Sequence, residues 1–476
     1  MLIAGELVSA IAGAETVATN PANGDAIGHF PLGDDTDVDS AVDAAKQAFA
    51  GWRDLPAARR AAYVLAMADA IEACGEELAV LDTLDNGSPI KVMRGDYRLA
   101  VEQMRYFAGL ALQLRGDTIP APTAGAIDFT LLEPYGVVGR IVPFNHPLMF
   151  AASKLAAPLI AGNTVVLKPA VDTTLSTLRL GEIIATVLPP GVVNIVSGTG
   201  SVVGERLVRH PDVRRIAFTG SVEVGQAILR SASEVAVKTV SLELGGKNPC
   251  IVFGDADRSA AVRGALRGMN FTWQGQSCGS TSRLYVHRSL FEAFVQELAG
   301  LMDAMRMGDP LDDATDVGPV VSRRQFEKVR DYIEAGCREA GTRLLAGGPP
   351  QPGRGFFVRP TLFAVEAGAR SRLASEEIFG PVLVATPFDD YDGVIACANE
   401  LPFGLTASVW TSNLEVAMRA VRDLEAGYVW VNASSAHIPG TPFGGQKQSG
   451  SGREEGIEEL YSYAQTKNVF VQYALG

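Results

Sequence analysis

From about residue 37 to 115, apolar positions recur every three or four residues, the period of helices with one buried face. DVDSAVDAAKQAFAGW opens on capping-type Asp and Ser, and AARRAAYVLAMADAIEACGEELAVLDTLDNG and LAVEQMRYFAGLALQL continue the pattern. Its character changes at 136. Short apolar runs (VVGRIV, TVVLKP, VVNIVS, RIAFTG and NPCIVF) alternate with helical stretches such as TLRLGEIIATVL and GQAILRSASE. Strand, helix, strand at this rhythm predicts a parallel sheet with crossover helices. A second α/β run spans roughly 247–445, with helices predicted at SLFEAFVQELAGLMDAM, RRQFEKVRDYIEAG, FDDYDGVIACANE and NLEVAMRAVRDLEAG. The last segment, KNVFVQYALG, is short, alternating and apolar, and needs a sheet edge in this chain or on another subunit.

Length and charge narrow the class. The chain has 476 residues, long for one core, so two large domains with smaller additions are expected. Apolar runs such as GVVGRIVPF at 136–144 are interrupted well short of a membrane span. The apolar N-terminus lacks an early Lys or Arg and carries Glu6 and Glu15, which argues against a secretory signal. The formal charge of −13 repels nucleic acid and anionic membranes. Cys74, Cys250, Cys278, Cys337 and Cys397 are odd in number and scattered, and the five His include no HExxH, so neither disulfides nor a metal site is expected. The expectation is a cytoplasmic chain with reduced thiols.

A few positions carry candidate chemistry. Cys278 in FTWQGQSCGSTSR has Gly275 and Gly279 beside it, leaving a sulfur approachable and backbone N–H groups free to meet an anion; a buried structural cysteine is the bland alternative. Glu243 in SLELGGKNP ends an apolar strand, where a carboxylate is costly unless paired, protonated or functional, and pairing with Lys247 is the alternative. GSVEVG at 220–225 joins a strand to a helix whose N-terminus offers donors to a pyrophosphate, with only Gly220 and Gly225 suitably spaced. Lys168 ends the strand TVVLK before Pro169, placed to bond nucleotide hydroxyls or simply exposed. Asn145 lies between Pro143 and Pro147, where its amide can serve an oxyanion or satisfy a turn.

Taken together and in order, these strings resemble the aldehyde dehydrogenase superfamily over roughly 10–472. They are PFNHP, GNTVVLKPA, FTGSVEVG, LELGGKNP, GQSC, EEIFGP, LPFGLTASVW and PFGGQKQSG, with Glu243 followed 35 residues on by Cys278. The resemblance implies an α/β fold: a Rossmann-like cofactor domain (1–117 and 137–246), an α/β catalytic domain (247–445) and a small oligomerisation or bridging element (118–136 and 446–476). It implies Cys278 as nucleophile and Glu243 as general base for the deacylating water, and for the thiol. Asn145 with the Cys278 N–H would form the oxyanion hole, and Lys154, nine residues after Asn145, would join a proton relay. On the cofactor side it implies Lys168 at the adenine ribose, Gly220 and Ser221 at the pyrophosphate with Gly225 behind them, Glu377 and Phe379 at the nicotinamide ribose and ring, and Pro143 and Phe144 alongside. The partners implied are NAD, with NADP permitted, a small-molecule aldehyde, and further copies of the chain as a homodimer or homotetramer; no metal, nucleic acid or membrane is implied.

Several positions depart from the family pattern. Phe144 replaces the tryptophan of PWNxP, His146 a residue that is often aromatic, and Ser153 a tunnel tryptophan, while Thr272 and Trp273 precede QGQSC. With Phe150 and His437 nearby, these changes predict a pocket reshaped for a bulky, uncharged aldehyde of aromatic or terpenoid type. Val171 stands where NAD-selective relatives often carry Glu, removing a repulsion of the 2′-phosphate without adding an attraction. Two rivals are a CoA-acylating semialdehyde dehydrogenase, which tends to lack the Glu of LELGG, and a non-catalytic protein that keeps the fold. Thioester hydrolysis without cofactor is a third. A free thiol is only a few per cent ionised near neutrality, so the site either lowers its pKa or removes its proton when substrate arrives.

Overall fold

The computed structural model describes residues 1–473 other than Pro122 and Pro352. The first helix starts at Asp35 rather than Asp37, because Asp34 caps it: Asp34 Oδ1 accepts from Thr36 N at 2.8 Å, and Asp37 Oδ2 accepts from Asp34 N at 3.0 Å. The apolar pattern over 57–87 divides at Cys74 into helices Ala57–Ala73 and Gly75–Asn86. The second ends at Gly87, whose φ of +90° is the left-handed turn that suits a residue without Cβ. Helix Ile90–Gly109 begins nine residues before the apolar periodicity of 99–114 is evident and ends five before it.

Of the strands predicted from 136 onward, VVGRIV, TVVLKP, VVNIVS and RIAFTG form one sheet, whereas NPCIVF belongs to another. The parallel core of the first sheet runs Val193–Ile195, Thr164–Lys168, Val137–Ile141, Val213–Gly220, Thr239–Leu244 in space. Chain order therefore reverses between Val137–Ile141 and Val213–Gly220, the switch point outside which doubly wound sheets bind ligands at their carboxyl ends. The N-terminal strands Leu2–Ile3 and Glu6–Leu7 extend one side, and the hairpin of Glu15–Thr19 with Ala26–Pro31 precedes the first helix. Neither is evident in the hydrophobic pattern: Leu2–Ile3 and Glu6–Leu7 are two residues each, and the hairpin strands are mostly exposed or half-buried, with few large apolar side chains.

A second sheet contains Thr342–Ala346, Thr361–Val365, Val382–Phe388, Arg283–His287, Pro249–Val252, Thr406–Trp410 and Tyr428–Val431, parallel except for the first. The chain passes between sheets at 245–248, since Thr239–Leu244 belongs to one and Pro249–Val252 to the other. The C-terminal strand Ala464–Gln472 finds its edge within its own chain. It pairs antiparallel with Ala126–Pro134 over nine positions, joined by Thr118–Ile119; Ala474–Gly476, predicted to continue it, lie outside the described residues. Of the rest of 446–476, Gln446–Lys447 pairs with Phe403–Gly404, and Gly450–Ser451 with Thr239–Leu244. Among the described residues no helix is long and apolar enough to cross a membrane, and no group of three or more His, Cys, Asp or Glu is placed to hold a metal.

Candidate active site

Strand ends and loops of both sheets converge on a cavity of about 420 Å³, within the usual range for small-molecule sites. Cys278 and Glu243 both line it. Glu243 stands at the carboxyl end of its strand, across from Thr219 in the register. Cys278 lies on a loop that Asn270 (φ +54°), Gln274 (φ +54°) and Gly275 (φ +65°) turn tightly. A Cβ on Gly275 would come within 2.3 Å of the Gly380 carbonyl, so this loop packs directly on the EEIFGP segment.

Asn248 fixes that loop from the other side. Its Nδ2 donates to the carbonyls of Cys278 at 2.7 Å and Ser280 at 3.0 Å, and its Oδ1 accepts from Thr406 N at 3.0 Å. Asn248 lies within LELGGKNP, yet nothing in the sequence alone marks it as functional. Asn248→Ala would leave two buried carbonyls and one N–H unpaired. It is expected to cost about 1–3 kcal/mol of stability per orphaned group at most and to lower kcat by displacing the sulfur; urea unfolding and steady-state rates check this, and wild-type values for both would contradict it.

Electrostatics set the resting state of the pair. Burial, reinforced by the Glu454 charge and partly offset by the nearby thiol and Lys154, pushes the Glu243 carboxyl up to about 8. Burial and then the Glu243 charge push the Cys278 thiol up as well. No hydrogen bond of normal geometry joins them, and both Glu243 oxygens lack a partner among the described residues. Near neutral pH both groups therefore hold their protons, and Glu243 can take the thiol proton only in the fraction of molecules whose carboxyl has ionised.

Behind Glu243 lies a buried ionic group. Lys154 Nζ is 3.0 Å from Glu454 Oε2 and 3.6 Å from Glu459 Oε2, and Arg140 Nη1 is 2.6 Å from Glu454 Oε1. Burial opposes the charge on Lys154, but Glu454, Glu459 and Glu455 outweigh it and raise its pKa. Glu454 is held low, its burial outweighed by Arg140 and Lys154. Lys154 is thus a fixed cation one carboxylate removed from the cavity, which Glu454 itself lines.

Asn145 is buried immediately before His146, which lines the cavity, and its Oδ1 has no partner among the described residues. Its position is set by its neighbours: Asn86 Nδ2 donates to Phe144 O at 2.7 Å, and Leu148 N, in the first turn of helix Pro147–Ile160, donates to Asp82 Oδ2 at 3.1 Å. Of the positions flagged as reshaping the pocket, His146, Phe150, Trp273 and His437 line it. Ser153 does not, because its hydroxyl turns back to Met149 O at 2.7 Å and the residue is buried in the helix packing.

The predicted cofactor residues gather at the carboxyl edge of the first sheet. Lys168 is level with Ile141 in the register, Pro143 and Phe144 follow that strand, and Gly220 ends the next. Ser221 caps helix Val222–Val235, its Oγ accepting from Val224 N at 3.3 Å. A Cβ on Gly225 would lie 2.8 Å from Leu244, so this helix sits close on its strand. Lys168 is buried, with only the Pro169 carbonyl at 2.6 Å and no ion pair among the described residues; burial, offset in part by Asp172, pushes it down to about 8. A buried ammonium with donors to spare fits a dinucleotide's ribose hydroxyls. Glu377, raised by burial, accepts from Gly246 N at 3.0 Å, and Phe379, at φ +57°, packs edge-on against Phe144 with centroids 5.6 Å apart. Strain of this kind collects at functional sites.

The chain matches the aldehyde dehydrogenase family over residues 10–469. It belongs to that family. It is 43% identical to the phenylacetaldehyde dehydrogenase of Pseudomonas fluorescens, across 99% of this chain and 96% of that protein. Retinaldehyde dehydrogenase 3 of Mus musculus is also 43% identical, over 95% of this chain and 89% of its own length. The structure of an aldehyde dehydrogenase from Bacillus cereus complexed with NAD+ superposes with a TM-score of 0.96 at 40% identity, covering 100% of this chain and 96% of that one. This family member is an aldehyde-oxidising enzyme of mixed α/β fold.

Proposed function

We propose that the enzyme oxidises bulky, uncharged aldehydes to carboxylic acids with NAD through a thioester on Cys278 that water hydrolyses. The observation carrying this reading is that Cys278 and Glu243, remote in sequence, line one cavity at the carboxyl edge of a dinucleotide-type sheet. Glu243 takes the thiol proton, and the sulfur bonds to the carbonyl carbon. The Asn145 amide and the Cys278 N–H hold the alkoxide that forms. Bound NAD supplies the hydride acceptor. Glu243 passes that proton to solvent and then takes one from water, whose oxygen attacks the thioester carbon; the C–S bond breaks and Glu243 returns the proton to the sulfur. Lys154 and Glu454 keep a fixed charge pattern behind the base. Lys168, Gly220, Ser221, Gly225, Glu377, Phe379, Pro143 and Phe144 form the cofactor cradle, with 1–117 and 137–246 as its domain and 247–445 as the catalytic domain.

Several features support the finer reading. Met149, Phe150, Trp273 and Phe443 wall the cavity while Asp96, Glu454 and Glu455 disfavour anionic substrates. Relatives named for phenylacetaldehyde and retinaldehyde are of the same kind. Asp172, close enough to Lys168 to act on its pKa, opposes a 2′-phosphate even though Val171 does not. Ile127, Leu131 and Val471 project into solvent from one face of the small sheet, which favours a homo-oligomer. One experiment tests the core: phenylacetaldehyde with NAD and no CoA should give one acid and one reduced cofactor per turnover, faster than acetaldehyde and faster than with NADP. A CoA requirement, or a hundredfold preference for NADP, would refute the corresponding assignment.

A further inference from the structure

The cavity contains a polar feature that aldehyde oxidation itself does not require. Among its apolar walls stands His146, with Nδ1 2.8 Å from Asp96 Oδ2. The Trp273 indole N–H reaches the same oxygen at 3.4 Å. Trp273 and Phe150 also clamp the imidazole, with centroids at 5.5 and 5.7 Å. Asp96 is 4% exposed, so its carboxylate is secured by these two donors. An indole only donates and a carboxylate only accepts, which places the shared proton on His146 Nδ1. In the neutral imidazole Nε2 then keeps its lone pair, and it makes no hydrogen bond among the described residues.

We infer that His146 Nε2, oriented by Asp96, accepts a hydrogen bond from a hydroxyl on the substrate, so that the enzyme selects hydroxyl-bearing aryl aldehydes over equally shaped ones without a donor. The inference rests on the cavity being the aldehyde site and adds the substituent it recognises. An aryl body fits the rings around His146, and a site built to pair with an O–H discriminates against an isostere that leaves it unpaired. His437 makes a looser version of the same pair, 3.3 Å from Glu455, with 28% of its side chain exposed against 13% for His146. Water competes more readily there.

The test compares kcat/KM for phenylacetaldehyde and its 3-hydroxy, 4-hydroxy, 3-methyl and 4-methyl derivatives in the wild type, His146→Phe, His146→Gln and His437→Phe. The expected result is a hydroxyl-over-methyl ratio of about tenfold at one ring position, the factor a buried neutral hydrogen bond supplies. The ratio should fall to near one in His146→Phe and persist in His146→Gln, which keeps an acceptor, and in His437→Phe. A wild-type ratio near one at both positions, a ratio that survives His146→Phe, or one lost only in His437→Phe would overturn the inference. Failure of the wild type to form reduced cofactor from any of the five would instead overturn the aldehyde reading.

Discussion

Cys278→Ala is expected to abolish aldehyde oxidation, by about 10⁴-fold or more, while leaving the protein folded and able to bind NAD. Covalent catalysis divides a hard displacement between two easier steps, and no neighbouring group can replace the sulfur. Cys250 is buried in the second sheet, and Cys74, Cys337 and Cys397 do not line the cavity. Cys278 is only partly covered, so loss of its sulfur leaves no large void. The melting temperature should stay close to wild type, and NAD titration should still quench the fluorescence of Trp residues. Turnover within tenfold of the wild type would remove Cys278 from the mechanism, whereas loss of both turnover and the folding transition would show only that the variant is misfolded.

Much of this site was legible because its chemistry constrains residue type at short range. A thiol between glycines, a carboxylate at an apolar strand end and a lysine before proline each break the local pattern in a way a packed core rarely needs. The alternating strand and helix signals likewise predicted the first sheet. The rest depends on contacts between distant segments. Asp96 and His146 are 50 residues apart and meet only because helices Ile90–Gly109 and Pro147–Ile160 pack together. Asn248 reads as a residue before proline until the Cys278 loop folds onto it. Lys154 matched a relay position, yet two buried glutamates decide that it is held charged. The C-terminal strand needed a partner that periodicity does not name, and the structure supplies it from Ala126–Pro134.

Glu243→Gln should produce the second large loss, about 10³-fold in kcat, within the span of general-base effects. Because the resting thiol is raised rather than lowered, the carboxylate must accept a proton twice per cycle, once from sulfur and once from water. Glutamine can accept neither. Both acylation and deacylation should therefore slow, and rapid mixing should show no burst of reduced cofactor. A stoichiometric burst would confine Glu243 to deacylation, and unchanged turnover would exclude it altogether. The pH dependence follows from the same group. With the carboxyl raised to about 8, wild-type kcat/KM should climb about tenfold per pH unit below that value and level off above it, an inflection the variant lacks. Stability moves the opposite way. The folded state keeps this proton after the unfolded chain has released it, so this contribution declines from the ordinary glutamate range near 4.5 up to about 8 and is then constant. Glu243→Gln should thus gain stability relative to the wild type as pH rises through that window, and melting curves at pH 5 and pH 8 that show no such divergence would mean the carboxyl is ionised in the resting enzyme.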